Sequence, residues 1–262
     1  MHKWVTRILL FIAVAAIGLL AVAPAFAQSS DEKEKPPVYI YVAQWGVPRA
    51  SWPAYEKADQ GYKQTMEKML ADGTIVSYGF FRSVVHSEGA PTHGAWWTAT
   101  SIANSMKALN ALTSLTGPPF DTQAKILADS KHFDLLLVSR NYSTRAGAFE
   151  NAYLRVGTYK TKPNEGETAE KVLKAYIAPV LEKLVADGTL LSYSIDRQAL
   201  HTDDPGLLNI AIIAKDADGL DKFHAAIDAA AKANPAGGPA FGSVTEGSDH
   251  RDFLALAWGA FK

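Results

Sequence analysis

Apolar and polar side chains alternate over Val38–Trp45 (VYIYVAQW), a β-branched and aromatic run that predicts a strand. The period then changes to that of a helix. Tyr55, Tyr62, Met66 and Met69 recur at helical spacing behind Ser51, a candidate N-cap, with Trp52 and Pro53 in the first turn. Gly73 stands where such a helix needs a left-handed residue to stop. A second strand is expected over Ile75–His86, a turn over 88–92 (EGAPT) and a third strand over Gly94–Thr100. A helix over Ile102–Leu115 follows, ended by Gly117-Pro118-Pro119, and a fourth strand covers Phe133–Tyr142.

The same order then repeats. Residues 71–86 (ADGTIVSYGFFRSVVH) and 186–201 (ADGTLLSYSIDRQALH) are identical at eight of sixteen positions and lie 115 residues apart, measured from Asp72 to Asp187. The match runs outward: Val38–Trp45 parallels Ala152–Tyr159 (AYLRVGTY), and SKHFD at 130–134 parallels SDHRD at 248–252. So long a period excludes a solenoid and indicates a duplicated, domain-sized unit. The second copy predicts strands at Ala152–Tyr159, Leu190–His201, Leu208–Ala214 and Phe253–Phe261, with helices from about Thr168 to Asp187 and over Leu220–Ala233. Pro179 breaks the first of these helices, but Val172, Tyr176, Val180 and Leu184 keep their spacing across it, so one helix is expected. Each unit thus reads β-α-β-β-α-β, the ferredoxin-like order, at 38–145 and 152–262, which makes the chain α+β.

Alternation also sorts each strand into two faces. Val38, Ile40 and Val42 suit a face beneath helices, with Tyr39, Tyr41 and Trp45 opposite them. Val76, Tyr78, Phe80, Arg82, Val84 and His86 share a face, opposite Ser77, Gly79 and Ser83; Leu191, Tyr193, Ile195, Arg197 and His201 repeat it. A sheet with helices on one side must cover its other face, and two aromatic faces can cover each other. In element order and duplication the chain resembles the dimeric α/β-barrel superfamily, in a fused form with two ferredoxin-like units in tandem, over Val38–Lys262. The resemblance implies a pseudo-two-fold barrel with ligands between its sheets or at its mouth. Members of that superfamily include cofactor-free monooxygenases, haem-binding enzymes and proteins of no known activity.

On this reading Tyr39, Tyr41, Trp45, Tyr78, Tyr159 and Tyr193, with Arg82 and Arg197, are the candidate ligand-binding residues, and Trp96 and Trp97 could join them. Arg82 and Arg197 need partners inside the fold, either a ligand carboxylate or, by the blander and favoured reading, an internal acid. His86, His132, Asp134, His201, His250 and Asp252 are the candidate catalytic residues. A carboxylate two positions from a His on a strand faces the same way and can fix the imidazole tautomer or raise its basicity. If the edges of the two sheets pair, His86 approaches His250/Asp252, and His201 approaches His132/Asp134. The plainer reading has these residues simply finishing a strand entrance. His93 and His224 have no counterparts and are expected at the surface. No metal is expected, since no HxxxH or HExxH spacing occurs; no P-loop, GxGxxG or GxSxG pattern occurs either. The stretch at 234–242 (NPAGGPAFG) and its counterpart at 117–120 are expected to be loops bordering a pocket mouth.

Composition narrows the setting. Lys3 and Arg7 precede an apolar run from Ile8 to Ala23, and Ala25-Phe26-Ala27 offers a signal-peptidase site, so 1–27 reads as a signal peptide and the protein as periplasmic or secreted. The alternative is an uncleaved membrane anchor. The charged stretch at 28–37 reads as a flexible leader. Without residues 1–27 there are 24 basic and 27 acidic residues, a balance with no electrostatic footprint for nucleic acid or an anionic membrane. The absence of Cys excludes disulfides and thiolate metal sites. The functional expectation is an exported barrel, a monomer of two fused units or a homodimer, that binds a small apolar or aromatic ligand between its sheets. It could act as a cofactor-free oxygenase-like enzyme using His86, His132 and Arg82, as a haem binder through an axial His, or as a non-catalytic scaffold with a packed interior.

Overall fold

In a computed structural model, residues 35–202 and 204–262 are described. The expected signal segment and residues 28–34 of the expected leader lie outside them. Eight strands appear where the alternating runs predict them: β1 (Val38–Trp45), β2 (Ser77–Ser83), β3 (His93–Ala99), β4 (His132–Thr144), β5 (Gly147–Lys160), β6 (Leu190–Gln198), β7 (Leu207–Ala214) and β8 (Arg251–Phe261). They close into a barrel in the order β1-β3-β2-β8-β5-β7-β6-β4, every neighbouring pair antiparallel. Within each unit the sheet order is ferredoxin-like, β4-β1-β3-β2 and β8-β5-β7-β6. The edges pair across units, β2 with β8 and β4 with β6, so no sheet edge is left open.

The helices are α1 (Trp52–Asp72), α2 (Ile102–Thr113), α3 (Phe120–Leu127), α4 (Gly166–Tyr176), α5 (Ala178–Ala186), α6 (Ala217–Ala233) and α7 (Gly237–Val244). Gly73 and Gly188 carry the left-handed backbone that ends α1 and follows α5, at φ +81° and +83°. Several expectations need correction. Ser51 precedes α1 but its side chain caps nothing, because a 3-10 turn at Arg49–Ser51 already leads into the helix. The helix expected through Pro179 is two helices, broken at Ile177, with Pro179 in the first turn of α5, where its missing N–H is harmless. The stretches read as mouth loops contain helices instead. Phe120 on α3 packs edge-on to Tyr62 of α1 at 4.8 Å, and Phe241 on α7 packs on Tyr159 at 5.0 Å.

The largest correction concerns which face is which. Tyr41, Tyr78, Phe80 and Trp97 pack under α1 and α2 with Met66, Met69 and Leu112, and Tyr193 and Ile195 pack under α4–α6 with Leu173, Leu181 and Phe223. Ile40, Phe81, Trp96, Leu137, Leu154 and Ile213 face inward. The aromatic face is therefore the helix-covered face, and the face carrying Val38, Ile40 and Val42 lines the lumen. Long helices present large apolar side chains and need large partners. A lumen that takes every second residue of eight strands has room for few of them.

Gly79 shows that constraint. A Cβ there would collide with the Trp96 ring, and one on Gly94 would collide with the Phe81 ring and the Ala43 carbonyl. Gly79→Ala is expected to lower stability by about 1–3 kcal/mol. In a Trp96→Ala background the same change should cost much less, so a double-mutant cycle on denaturant unfolding should give a clear coupling energy.

Candidate functional site

The residues singled out from the sequence mostly lie outside the lumen. Arg82 pairs with Glu56 of α1 at 2.8 Å and Arg197 with Glu170 of α4 at 2.6 Å, so both guanidinium groups fasten helix to sheet. Tyr78 hydrogen-bonds Glu67, and burial first, then Glu67, pushes its hydroxyl up to about 12; Tyr193 donates to Glu182 at 2.8 Å. Tyr41 stacks on Trp97 at 4.5 Å and hydrogen-bonds Asp134. Tyr39 alternates onto the same outer face.

His132 and Asp134 do pair, at 3.0 Å, and the imidazole lies flat on Trp45 with ring centroids 4.9 Å apart. His250 and Asp252 repeat this at 3.3 Å, the imidazole lying flat on Tyr159 at 4.3 Å, with Arg155 also bound to Asp252 at 2.7 Å. The two His/Asp pairs share the rim where β4 and β8 begin, with their rings on the outer face. The β2–β8 ladder brings the chain before His86 beside β8, through Val84 N–H to the Leu254 carbonyl at 3.0 Å. The His86 ring turns instead to Trp52, at 5.4 Å. His201 is exposed beyond β6, and so is His224 on α6. His93, expected at the surface, has no exposed side chain: it sits between Trp52 and Tyr55 with Nε2 3.4 Å from Glu56. Burial pulls its pKa down to about 4.

Between the sheets lies a cavity of about 1140 Å³. One side of it is a continuous aromatic wall built on β2, β3, β5 and β8. Phe253, Phe81, Trp96, Phe149 and Phe261 follow one another at 5.4, 6.2, 6.4 and 5.1 Å between rings. The opposite side has the same backbone and different side chains. Where the first unit places Gly79, Phe81, Gly94 and Trp96, the equivalent ladder positions hold Ser194, Asp196, Asn209 and Ala211. Cross-strand partners there form a polar belt, Ser139–Asp196–Asn209–Thr158, over β4, β6, β7 and β5. The corresponding belt across the wall is Ala257–Phe81–Gly94–Gln44. The lumen is filled on one side and open on the other.

Three side-chain hydrogen bonds hold the belt. Thr158 donates to Asn209 Oδ1 at 2.8 Å, Ser139 to the Ile195 carbonyl at 2.7 Å and Ser194 to Asp196 Oδ2 at 2.9 Å. Asp196 Oδ1 has no partner although it is buried. None of these residues was singled out from the sequence. The available signal was the run Ser192, Ser194, Asp196 and Gln198 on one face of β6, which was assigned away from the lumen.

No family model and no curated protein sequence matches the chain. Solved structures match in shape. A Fusobacterium nucleatum protein, provisionally described as a monooxygenase, superposes with a TM-score of 0.62 at 10% identity over 87% of this chain and 95% of its own. A Lactobacillus acidophilus protein with the same provisional description gives 0.60 at 8% identity over 87% and 97%. A haem-binding protein of Thermus thermophilus gives 0.51 at 12% identity over 86% and 94%. This chain has the dimeric α/β-barrel fold. Identities this low speak to the fold alone.

Within this dimeric α/β barrel the electrostatics centre on Asp196. Burial pushes its carboxyl from 3.8 up to about 7, against the Ser194 and Ser139 hydroxyls, with Glu170 adding to the rise. A carboxyl with a raised folded pKa binds its proton more tightly folded than unfolded, so it withdraws stability as pH rises from about 4 to about 7. Relative to Asp196→Asn, the natural protein should match most closely at or below about pH 4. It should fall behind by roughly 4 kcal/mol at most by pH 8, in chemical denaturation at each pH.

Proposed function

We propose that the protein is an exported barrel that binds a small, largely apolar, ring-bearing molecule in its lumen, against the aromatic wall and under the polar belt. The observation that carries this is the one-sided lumen: the interior is not packed, and the space lies where aromatic side chains are replaced by Ser194, Asp196, Asn209 and Ala211. Ligand sites are commonly apolar cavities with a few convergent polar groups, and this cavity has that composition. Export is proposed from the sequence pattern of residues 1–27. The equivalent placement of elements in the two halves supports an origin by tandem duplication. One chain closes the barrel by itself, so the binding site needs no second copy.

A second reading, an enzyme of the cofactor-free oxygenase kind, is favoured by Asp196. A carboxyl held near neutrality inside an apolar cavity suits proton transfer to or from a bound molecule. On this reading Asp196 replaces His86, His132 and Arg82, whose side chains face outward.

Haem fits the cavity residues poorly. An axial ligand must face the iron. Of the described donors that reach the cavity, His132 turns its ring outward onto Trp45 and Asp134, Tyr142 donates to the Pro36 carbonyl at 3.1 Å, and Tyr193 turns its hydroxyl outward to Glu182. Protein produced with haem supplied should purify without a Soret band.

The lumen reading is tested by filling the open side. The neutral fluorescent probe N-phenyl-1-naphthylamine should brighten on binding the intact protein. Ser194→Gly with Ala211→Trp reproduces the Gly79/Trp96 arrangement and should weaken probe binding by at least about tenfold while leaving the fold intact by circular dichroism. Undiminished binding in the folded double variant would place the probe elsewhere.

A further inference from the structure

Among the described residues the belt offers several acceptors, one amide donor in Asn209 and no cation. Asp196 has one oxygen without a partner, Ser194 has hydroxyl lone pairs, and Asn209 turns its carbonyl oxygen to Thr158. The groups packed around Asp196 bring no positive charge to it. Ser139 comes from β4, Ser194 from β6 and Asn209 from β7. From α4 comes Glu170, whose own charge is taken by Arg197 at 2.6 Å and whose Oε1 accepts from Asn141 at 2.8 Å. The other acids and bases that line the cavity stand at strand ends. There Arg251 is occupied by Asp204 at 3.1 Å, Asp252 by Arg155, and Lys262 by the Leu70 carbonyl at 3.2 Å.

A buried carboxylate with no counter-ion is costly, and it either stays neutral or meets a cation. Facing the belt are the rings of Trp96 and Phe81, whose faces attract a cation and whose apolar area suits a ring or alkyl body. We propose that the lumen selects a small primary amine as its ammonium ion, the nitrogen bound by Asp196 and Ser194 and the apolar body laid against the Trp96–Phe81 wall. This rests on the lumen-binding reading and adds the chemical class of the ligand. An ammonium group is donor-only, with three N–H groups, and so matches an acceptor-rich belt better than a carboxylate or a carbonyl compound would.

Burial keeps the empty site's carboxyl protonated below about pH 7, and the ammonium complex requires it ionised. Affinity for the amine should therefore fall as pH drops through that value. The sign is opposite for a ligand that needs the carboxylic acid as donor, and a neutral alcohol should show little dependence.

The test is isothermal titration of the intact protein with 2-phenylethylamine and with 2-phenylethanol, at pH 8 and pH 6. The amine should bind at least about tenfold more tightly than the alcohol at pH 8, and most of that preference should vanish at pH 6. Asp196→Asn, folded by circular dichroism, should abolish the preference. Equal or tighter alcohol binding at pH 8, or an amine preference that survives in Asp196→Asn, overturns the proposal. If both compounds fail while N-phenyl-1-naphthylamine binds, the amine assignment alone is wrong. If all three fail, the lumen reading falls with it.

Discussion

Closing eight strands into one ring sends every second side chain of each strand into a single narrow space, and everything particular to this protein follows from how that space is shared. The closure depends on the two antiparallel pairings between units, β2 with β8 and β4 with β6. They remove the edges of both sheets and force the inward faces of β2 and β6 to stand opposite each other. Two fully aromatic inward faces would not fit. On one side glycines make room for Phe81 and Trp96; on the other, small and polar residues leave the room unused.

The two halves agree on their outer faces and differ on their inner ones. Arg82–Glu56 corresponds to Arg197–Glu170, Tyr78–Glu67 to Tyr193–Glu182, and the Trp45–His132–Asp134 stack to Tyr159–His250–Asp252. These pairs fasten helix to sheet, or finish the rim, in the same way twice. That shared task accounts for the recurring Tyr and Arg, and for the His132 and His250 pairs, without any site, whereas His86 and His201 sit differently in the two halves. The chemistry instead sits where the halves depart from one another, at Phe81 against Asp196 and Trp96 against Ala211.

Much of the architecture was legible in the sequence. Strand order and the main helices follow from alternation and glycine stops, and the barrel was implied by the resemblance of the doubled element order to the dimeric α/β-barrel superfamily. The favoured reading of Arg82 and Arg197 as partners of internal acids also holds. The faces were not legible, because alternation separates two faces without saying which one meets the helices. Aromatic residues were matched to the space between sheets, when Met66, Met69 and Leu112 on the helices were the larger demand for them. Reversing that one assignment moves Arg82, Tyr78, Tyr193 and Arg197 outward, and brings in the serines and Asp196 that had looked like an outer polar face. His93 was expected at the surface for a related reason: its partner Glu56 lies 37 positions away on α1, and no local pattern joins them.

Isoleucine methyl groups provide the most direct test of the central claim, that the ligand space is the barrel lumen and not the helix-covered faces. Ile40 and Ile213 lie in the lumen core, whereas Ile75, Ile195 and Ile212 lie under the helices. Methyl-labelled protein titrated with N-phenyl-1-naphthylamine in an NMR experiment should show ring-current shifts at Ile40 and Ile213 and little change at the other three. Shifts concentrated at Ile75, Ile195 or Ile212, with Ile40 and Ile213 unmoved, would contradict the account.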